Sequence, residues 1–354
     1  MYRRFSLTLV LNHACNLRCR YCYTGEKFGR RLPLDFGQRA IERAVASVEP
    51  SGLLDVGFFG GDPLIEAELL LELLEYAKAL AARRGIGLRF NATTNATILS
   101  PAAWQAMTHR DLELAISHDG LPAVHDAERV AIDGSPTSRL VEETMQALHE
   151  AGKPFRVVLV VQPQTCEQLP EGLQYLHDRG VRQFEPSLNL WTTWTVADGE
   201  RLERAIGGAA DFWGAHLPEC SVSWFDEKAA QLARVPLNAS ARCGFGSGEI
   251  AVSPAGHLYP CERLVADDQR TNPMRLPGHV MEGRDFLTLQ KPVGSSPEEC
   301  QPCLLREQCN TGVCYCSNYV RTGNVTRPDR LLCLFDQVCY RETVRVISAL
   351  AAPA

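Results

Sequence analysis

Cys15, Cys19 and Cys22 lie in the stretch CNLRCRYC, with three residues inside the first gap and two inside the second. Three thiolates so spaced on one short loop reach three irons of a [4Fe–4S] cube and leave the fourth iron without a protein ligand. An open iron suits a cluster that takes an outside ligand; a cluster that only carries electrons usually has four protein ligands. Zinc is the competing reading. Structural zinc takes four Cys or His ligands, commonly from paired CxxC knuckles, and His13 stands close enough in the chain to be a fourth. Taken with the rest of the chain, the loop favours the open cluster.

A second set of thiols lies far downstream. Twelve residues separate Cys243 from Gly256, which opens the run GHLYPC ending in Cys261. Cys300, Cys303, Cys309, Cys314, Cys316, Cys333 and Cys339 follow. The CxxC at 300–303, with five residues before Cys309, is a metal-ligating pattern, for iron–sulfur or for a zinc ribbon. Fourteen cysteines in 354 residues would suit a disulfide scaffold only in an exported chain. The opening MYRRFSLTLVLNHAC imitates a short export signal, with two arginines, an apolar run and a small residue before Cys15. Its apolar run, 7–11, is shorter than the roughly 7–15 residues of a secretory core. The segment therefore reads as a buried first strand of a cytoplasmic protein, in a compartment where thiols stay reduced. Cys166 reads as a small buried side chain on a helix.

The elements that must position these thiols follow from the pattern of apolar residues. Runs at 5–11, 54–59, 86–91, 112–116, 155–161 and 181–190 read as strands, the last the weakest. Helical stretches at 35–48, 64–83, 101–107, 139–151, 166–178 and 198 to about 216 alternate with them. That alternation predicts an α/β fold with a parallel sheet, curled toward a barrel by right-handed crossovers. From 220 to 340 helical periodicity fades, and glycine, proline and cysteine rise. The length exceeds the roughly 250–300 residues at which single cores stop growing and predicts two domains. A composition 45% hydrophobic and 22% charged is that of an ordinary soluble chain. A formal charge of −6 with no long basic run argues against nucleic acid as a main partner. No run approaches the ~18 apolar residues of a membrane span.

Each of the first four strands ends in a polar motif: the cysteine loop, Gly60-Gly61-Asp62-Pro63, Thr93-Thr94-Asn95, and Ser117-His118-Asp119-Gly120. In βα barrels, side chains at the C-terminal strand ends meet at one mouth. Gly60 and Gly61 let the backbone approach a ligand closely, and Pro63 suits the first position of a helix. A plain strand-to-helix turn is the other reading of that motif. Asp119 fits a cap for the turn that follows it. His118 and His125 read as loop or surface residues.

The CxxxCxxC loop after a short apolar run resembles the signature of radical SAM enzymes. That resemblance implies a partial (β/α)6 TIM barrel. It implies that S-adenosylmethionine (SAM) chelates the open iron through its amino and carboxylate groups, and that an electron from the cluster releases a 5′-deoxyadenosyl radical. Tyr21 holds the place of an aromatic residue near the adenine. Gly60, Gly61, Asp62 and Pro63 stand where the family usually has GGEP, which hydrogen-bonds the SAM amino group; this chain has aspartate for glutamate, and the backbone role carries over. Asn95 resembles a position near the ribose and methionine ends of SAM. Ser117 resembles one that contacts the sugar or the carboxylate. An arginine fork matches that carboxylate, and Arg129 and Arg139 are both candidates.

With the triad, the downstream cysteines resemble the SPASM extension of radical SAM enzymes, which carries two auxiliary [4Fe–4S] clusters. One step departs from its pattern: four residues rather than three separate Cys309 from Cys314, and Cys316 is an available substitute. Carried over, Cys243, Cys261 and Cys314 or Cys316 would hold the first auxiliary cluster, and Cys300, Cys303, Cys309 and Cys333 the second. The fourth ligand of the first is open among Cys316, Cys220 and Cys339, or an iron is left for substrate. Glu262 matches an acidic residue that accepts a substrate proton in sulfatase maturases of this architecture; a solvated or Arg263-paired carboxylate is the alternative. Buried carboxylates can serve as general bases. The resemblance thus implies three [4Fe–4S] clusters, SAM as co-substrate, and a flavodoxin or ferredoxin as reductant.

The expected layout is a barrel at 1–197, a bridging helical region at 198–240, a SPASM domain at 241–345 and a tail at 346–354. The triad starts at residue 15, so no separate peptide-recognition domain is expected before the barrel. The expected activity is modification of a side chain in a precursor peptide or protein. A crosslink such as a cyclophane comes first and formylglycine formation in a sulfatase second. A small-molecule dehydrogenase is third. A zinc- or cluster-bearing binding protein without SAM chemistry is the non-enzymatic alternative. Trp191, Trp194, Trp213 and Trp224 either line a peptide groove or pack the core.

Overall fold

Strand β1 (Tyr2–Asn12) shows why the sheet forms. Phe5, Leu7, Leu9 and Leu11 are buried on one face, while Arg4, Ser6 and Thr8 alternate onto the other. Strands β2 (Val48–Gly60), β3 (Gly87–Thr94), β4 (Leu112–Ser117), β5 (Phe155–Val161) and β6 (Gln183–Leu188) follow. Each pairs in parallel with the strand before it. Helices α1 (Leu34–Ser47), α2 (Ala67–Arg84), α3 (Pro101–Thr108), α4 (Pro122–Glu128), α5 (Ser138–Glu150) and α6 (Leu169–His177) lie in the connections. The computed structural model describes residues 1–233, 243–289, 298–306, 308–309 and 314–351.

The fold is the mixed α/β arrangement with a parallel sheet that the alternation predicts. Six strands in sequence order match the six apolar runs within three residues at each end, except that β2 starts six residues before its run. The sheet is wider than those runs, with nine strands in the order β7-β6-β5-β4-β3-β2-β1-β8-β9. Strand β7 (Ser221–Val222) extends it beside β6. On the other edge β8 (Glu249–Val252) runs parallel to β1, with Ser6 opposite Glu249 and Leu9 opposite Val252. Strand β9 (Leu258–Tyr259) turns back antiparallel onto β8. Four- and two-residue strands are too short to show a period of two in sequence.

The fading of helical periodicity after residue 220 did not mean an end of helix. After α7 (Val196–Ala215) come α8 (Ser223–Leu232), α9 (Tyr315–Thr322) and the 22-residue α10 (Arg330–Ala351). On α10 the buried face includes Asp336, Glu342 and Thr343 among Leu331, Leu332, Val338 and Val346, and these polar residues hide the apolar stripe. Helix α10 lies along α7, where Gly214 leaves room for Val346 and Gly199 for Leu334. It continues without a break past residue 345. The expected boundary at 240/241 lies outside the described residues, as do 352–354.

One buried ion pair ties these late helices to a cysteine-bearing turn. Lys228 on α8, 2% exposed, donates to Asp336 Oδ1 on α10 and to the carbonyl of Gln308, each at 2.7 Å. Gln308 precedes Cys309, and Asp336 lies one turn after Cys333. Removing one member of such a pair leaves a buried charge without its counter-charge, whereas replacing both removes the desolvation cost. Lys228→Met should destabilise the apoprotein by about 3–5 kcal/mol in urea denaturation. Adding Asp336→Leu should recover most of that loss.

Candidate functional site

The cysteine loop leaves β1 and crosses the end of β2. Gly61 N donates to the Asn12 carbonyl at 3.2 Å, Asp62 N donates to the Ala14 carbonyl at 2.9 Å, and Asn12 Nδ2 donates to the Asp62 carbonyl at 2.9 Å. A Cβ at Gly61 would lie 2.1 Å from the Ala14 oxygen, so only glycine permits this crossing. On its far side the loop is held by the backbone at the C-terminal end of α4: Arg18 N donates to Val130 O at 2.7 Å and Arg20 N to Glu128 O at 2.9 Å.

The thiols of Cys15, Cys19 and Cys22 thereby line one cavity of about 370 Å³, and none is in a disulfide. Burial pushes the Cys15 thiol up to about 11 and raises that of Cys19 as well. At Cys22 burial acts in the same direction, but the Lys27 ammonium and the Thr24 hydroxyl outweigh it, and the thiol falls below its ordinary value. His13 is buried away from this cavity with its ring stacked on Phe28 at 4.3 Å. Among the described residues no fourth Cys and no His lines the cavity. Three thiols without a fourth Cys or His fit a cluster with one open iron better than a closed structural zinc site.

The ends of β2, β3 and β4 form the next wall. Asp62 is buried, and its carboxylate accepts from Leu64 N at 2.9 Å, Asn95 N at 2.7 Å and the Thr94 hydroxyl at 2.9 and 3.1 Å. Burial outweighs these donors and pushes its carboxyl up to about 6. Gly60 and Gly61 face the cavity, with Pro63 starting a short 3₁₀ turn behind them. Asn95 Nδ2 donates to Asn16 Oδ1 at 2.9 Å and lies 3.7 Å from Cys15 Sγ. Ser117, the last residue of β4, also lines the cavity.

Tyr21 and Arg129 meet at a buried carboxylate. The Tyr21 hydroxyl donates to Asp119 Oδ2 at 2.6 Å, and Arg129 donates to both oxygens at 3.0 and 3.1 Å. Burial would raise the Asp119 carboxyl, but Arg129 holds it below the usual range. Its remaining bond is from Val160 N at 2.9 Å, so Asp119 ties three elements together and does not cap its own turn. Arg129 and Tyr21 line the cavity. Arg139 does not: its side chain is 92% exposed on α5 and pairs with Glu143 at 2.8 Å. His118 and His125, expected in loops or at the surface, are fully buried with ring centroids 4.2 Å apart. They fill the space behind Asp119, where His125 Nδ1 accepts from the Asp119 amide at 3.4 Å and Nε2 meets the Thr137 hydroxyl at 3.0 Å. Neighbours from α4 and α5 bury them, and sequence alone does not bring those neighbours together.

The cysteine-rich region supplies the last wall. Glu262 and Arg263 line the same cavity as the triad, entering from the turn after β9. Tyr23 stacks on Trp191 at 4.3 Å with planes 9° apart, and Trp191 also lines the cavity. Trp213 and Trp224 are core residues, and Trp194 packs against the core while its ring N–H donates to Asn189 O at 2.9 Å.

The two downstream thiol sets separate in space. Cys261 and Cys316 are buried with Phe245, Leu264 and Met274, and Cys243 and Cys314 pack against them; the Cys314 and Cys316 sulfurs lie 3.7 Å apart. Cys166, Cys220 and Cys339 sit in the main core instead. Burial pushes the Cys333 thiol up to about 11, and nearby Cys309, Cys300 and Cys303 add to that rise. Each four-thiol set has the donor chemistry of a metal site closed by protein ligands. Sequence reading missed Glu249. It accepts from Gly244 N at 3.0 Å and has a carboxylate oxygen within 4.8 Å of donor atoms of Cys261 and Glu262. Burial first, and the Glu262 charge second, push its carboxyl up to about 7. An acidic residue opening the apolar run 250–252 is the one trace it leaves in sequence.

Asp62→Ala would orphan two buried amides and a hydroxyl that hold the ends of β2 and β3 together. The variant should lose about 3 kcal/mol of stability, read as a lower urea midpoint of the apoprotein at unchanged slope. An unaltered midpoint would show that these bonds do not hold the wall.

Residues 9–181 match the family model described as the Radical SAM superfamily. The chain is 26% identical over 329 residues to the serine-type anaerobic sulfatase-maturating enzyme of Klebsiella aerogenes, an alignment spanning 84% of this chain and 76% of that one. It is 22% identical over 350 residues to the PqqA peptide cyclase of Streptomyces rochei, spanning 91% and 87%. The solved structure of anSMEcpe with bound AdoMet and Cp18Cys peptide superposes with a TM-score of 0.77 at 18% identity, covering 97% of this chain and 98% of that one, and so shares its fold. A three-thiol loop at the end of β1, a parallel sheet that positions it and a family match over that same region converge: residues 9–181 of the chain form a domain of the radical SAM superfamily.

Proposed function

We propose that the chain is a maturase that oxidises a side chain of a ribosomally made peptide or of a protein. The observation that carries this reading is that the Cys15/Cys19/Cys22 loop and Glu262 line one cavity although 239 residues separate Cys22 from Glu262. Residues 1–197 read as a partial (β/α)6 barrel, 198–240 as its bridge and 241–345 as a SPASM domain, while 346–351, expected as a tail, complete helix α10. When bound, the clusters and SAM supply a 5′-deoxyadenosyl radical that takes a hydrogen atom from the substrate, and an acceptor for the electron left behind.

The chain's own residues hold and orient. Cys15, Cys19 and Cys22 would hold the SAM-binding cluster. The Gly60-Gly61 backbone, Asn95, Ser117 and Tyr21 surround the space for SAM. Arg129, which lines that space, is favoured over the outward-facing Arg139 for its carboxylate. Cys243, Cys261, Cys314 and Cys316 would hold one auxiliary cluster and Cys300, Cys303, Cys309 and Cys333 another, three clusters in all. Glu262 would accept the proton released from the substrate. Trp191 and Tyr23 offer the substrate an aromatic wall. A flavodoxin or ferredoxin in the cytoplasm would supply electrons. No helix among the described residues is long and apolar enough to cross a membrane.

Two products fit this oxidation. Ring closure by a crosslink between side chains is supported by the likeness to a peptide cyclase along most of both chains. Formylglycine formation is supported by the likeness to the sulfatase-maturating enzyme of Klebsiella aerogenes. The protein, reconstituted anaerobically with iron and sulfide, should release 5′-deoxyadenosine from SAM in the presence of dithionite. With a peptide encoded beside its gene, or with a serine peptide from a sulfatase, mass spectrometry should find a product lacking two hydrogens. A hydrazide probe separates the outcomes, because it labels an aldehyde and not a crosslink. Iron at full complement with no 5′-deoxyadenosine, or zinc in place of iron, would overturn the reading. Glu262→Gln should keep 5′-deoxyadenosine release while product falls about 10²–10⁴-fold.

A further inference from the structure

The three thiols of the triad differ in what touches them. Cys15 Sγ meets neutral donors only, the Leu17 amide at 3.4 Å and Asn95 Nδ2 at 3.7 Å. Near Cys19 the charged donor is Arg129, but its guanidinium is bound at both prongs by Asp119, at 3.0 and 3.1 Å, which cancels most of its field. Cys22 Sγ accepts from Lys27 Nζ at 3.1 Å. The other acceptors of that ammonium are neutral as well: the Thr24 hydroxyl, and the Gly25 carbonyl at 3.2 Å. Among the described residues no carboxylate lies within ion-pair distance of Lys27. Its charge is therefore aimed at one ligand sulfur without a protein counter-ion.

The turn that carries Lys27 is held from outside the loop. The Glu26 amide donates to Asp267 Oδ1 at 3.0 Å. Gly25, at φ +74°, packs so tightly on that carboxylate that a Cβ there would lie 1.9 Å from its oxygen. A residue of the cysteine-rich region thus fixes the backbone on which Lys27 stands.

Resting on the reading that the triad holds a cluster, we propose that Lys27 sets the reduction potential of that cluster by a charge-assisted N–H···S bond to Cys22. Reduction adds one electron, taken from the external reductant, and so one negative charge, to the iron–sulfur core. A fixed cation and a hydrogen bond at a ligand sulfur stabilise the reduced form more than the oxidised one. A hydrogen bond to a charged group is stronger than one between neutral partners, and a part of that strength is differential between the two redox states. Loss of Lys27 should lower the ratio of reduced to oxidised cluster about tenfold at a given potential, which is about 59 mV for a one-electron couple.

The test is a redox titration of the reconstituted holoenzyme with dithionite, followed by EPR on the signal component that shifts when SAM is added to a parallel sample. Lys27→Met should move its midpoint down by the amount above, and Lys27→Arg should restore most of it. If Lys27→Met retains no iron, Lys27→Gln carries the same test, with a neutral donor and a smaller downward shift expected. An unchanged midpoint at full iron content overturns the proposal. So does an unchanged midpoint with weakened SAM binding, which would make Lys27 a contact of the SAM carboxylate. A wild-type protein with no SAM-responsive cluster sinks the underlying reading instead, and the two failures are told apart by that signal.

Discussion

The cysteine loop can close because the end of β2 offers it bare backbone. Ala14 O approaches Gly61 to a distance that no side chain would allow, and Asn12 and Asp62 fasten the crossing from both sides. The fastening continues outward. Asp62 binds Thr94 and the Asn95 amide at the end of β3, and the Asn95 side chain turns back to Asn16 and Cys15. Three strand ends and the first thiol form one closed circuit of hydrogen bonds. A cluster needs its ligands at fixed separations, and a loop held only at its ends would not supply them. This circuit converts the rigidity of a parallel sheet into the position of a sulfur atom.

The far wall depends on a second use of β1. Its free edge accepts β8, and β9 folds back to deliver Cys261, Glu262 and Arg263. Glu262 therefore reaches the cavity from the end of a sheet strand and not from a long loop. The same strand thus presents the triad at its end and seats the opposite wall along its edge. Movement of the cysteine-rich region would open the cavity, and its hold on the Gly25–Lys27 turn through Asp267 links the two halves a second time.

Much of this was legible in the residues. Six apolar runs marked six strands because each is long enough to show its own pattern, and the spacing of Cys15, Cys19 and Cys22 marked the loop whose residues meet in the cavity. What escaped detection has physical reasons. Strands β8 and β9 are too short to show a period and exist because β1 has an edge to fill. Helix α10 hides behind Asp336 and Glu342, buried polar residues whose partners lie on α8 and on α10 itself. His118 and His125 became interior residues only when α4 and α5 closed over them. The convergence of Cys314 with Cys316, Cys261 and Cys243 depends on how α9 begins, which spacing does not reveal.

Hydrogen-bond accounting also separates the carboxylates around the cavity. Asp62 already receives two amides and a hydroxyl, and Asp119 receives a guanidinium, a phenol and an amide. Glu185 pairs with Arg156 at 2.7 Å. Each of these has its lone pairs directed at fixed donors, and an acceptor so engaged is not free to turn toward a substrate. Glu262 differs, since the one hydrogen bond to its carboxylate among the described residues comes from the Cys261 thiol at 3.5 Å. In a cavity where the other carboxylates are engaged by amides, hydroxyls and guanidinium groups, it is the least engaged among the described lining residues. Asp62 shows the division most fully, because its carboxylate is engaged by the amides of its own turn and of the next strand and by the Thr94 hydroxyl.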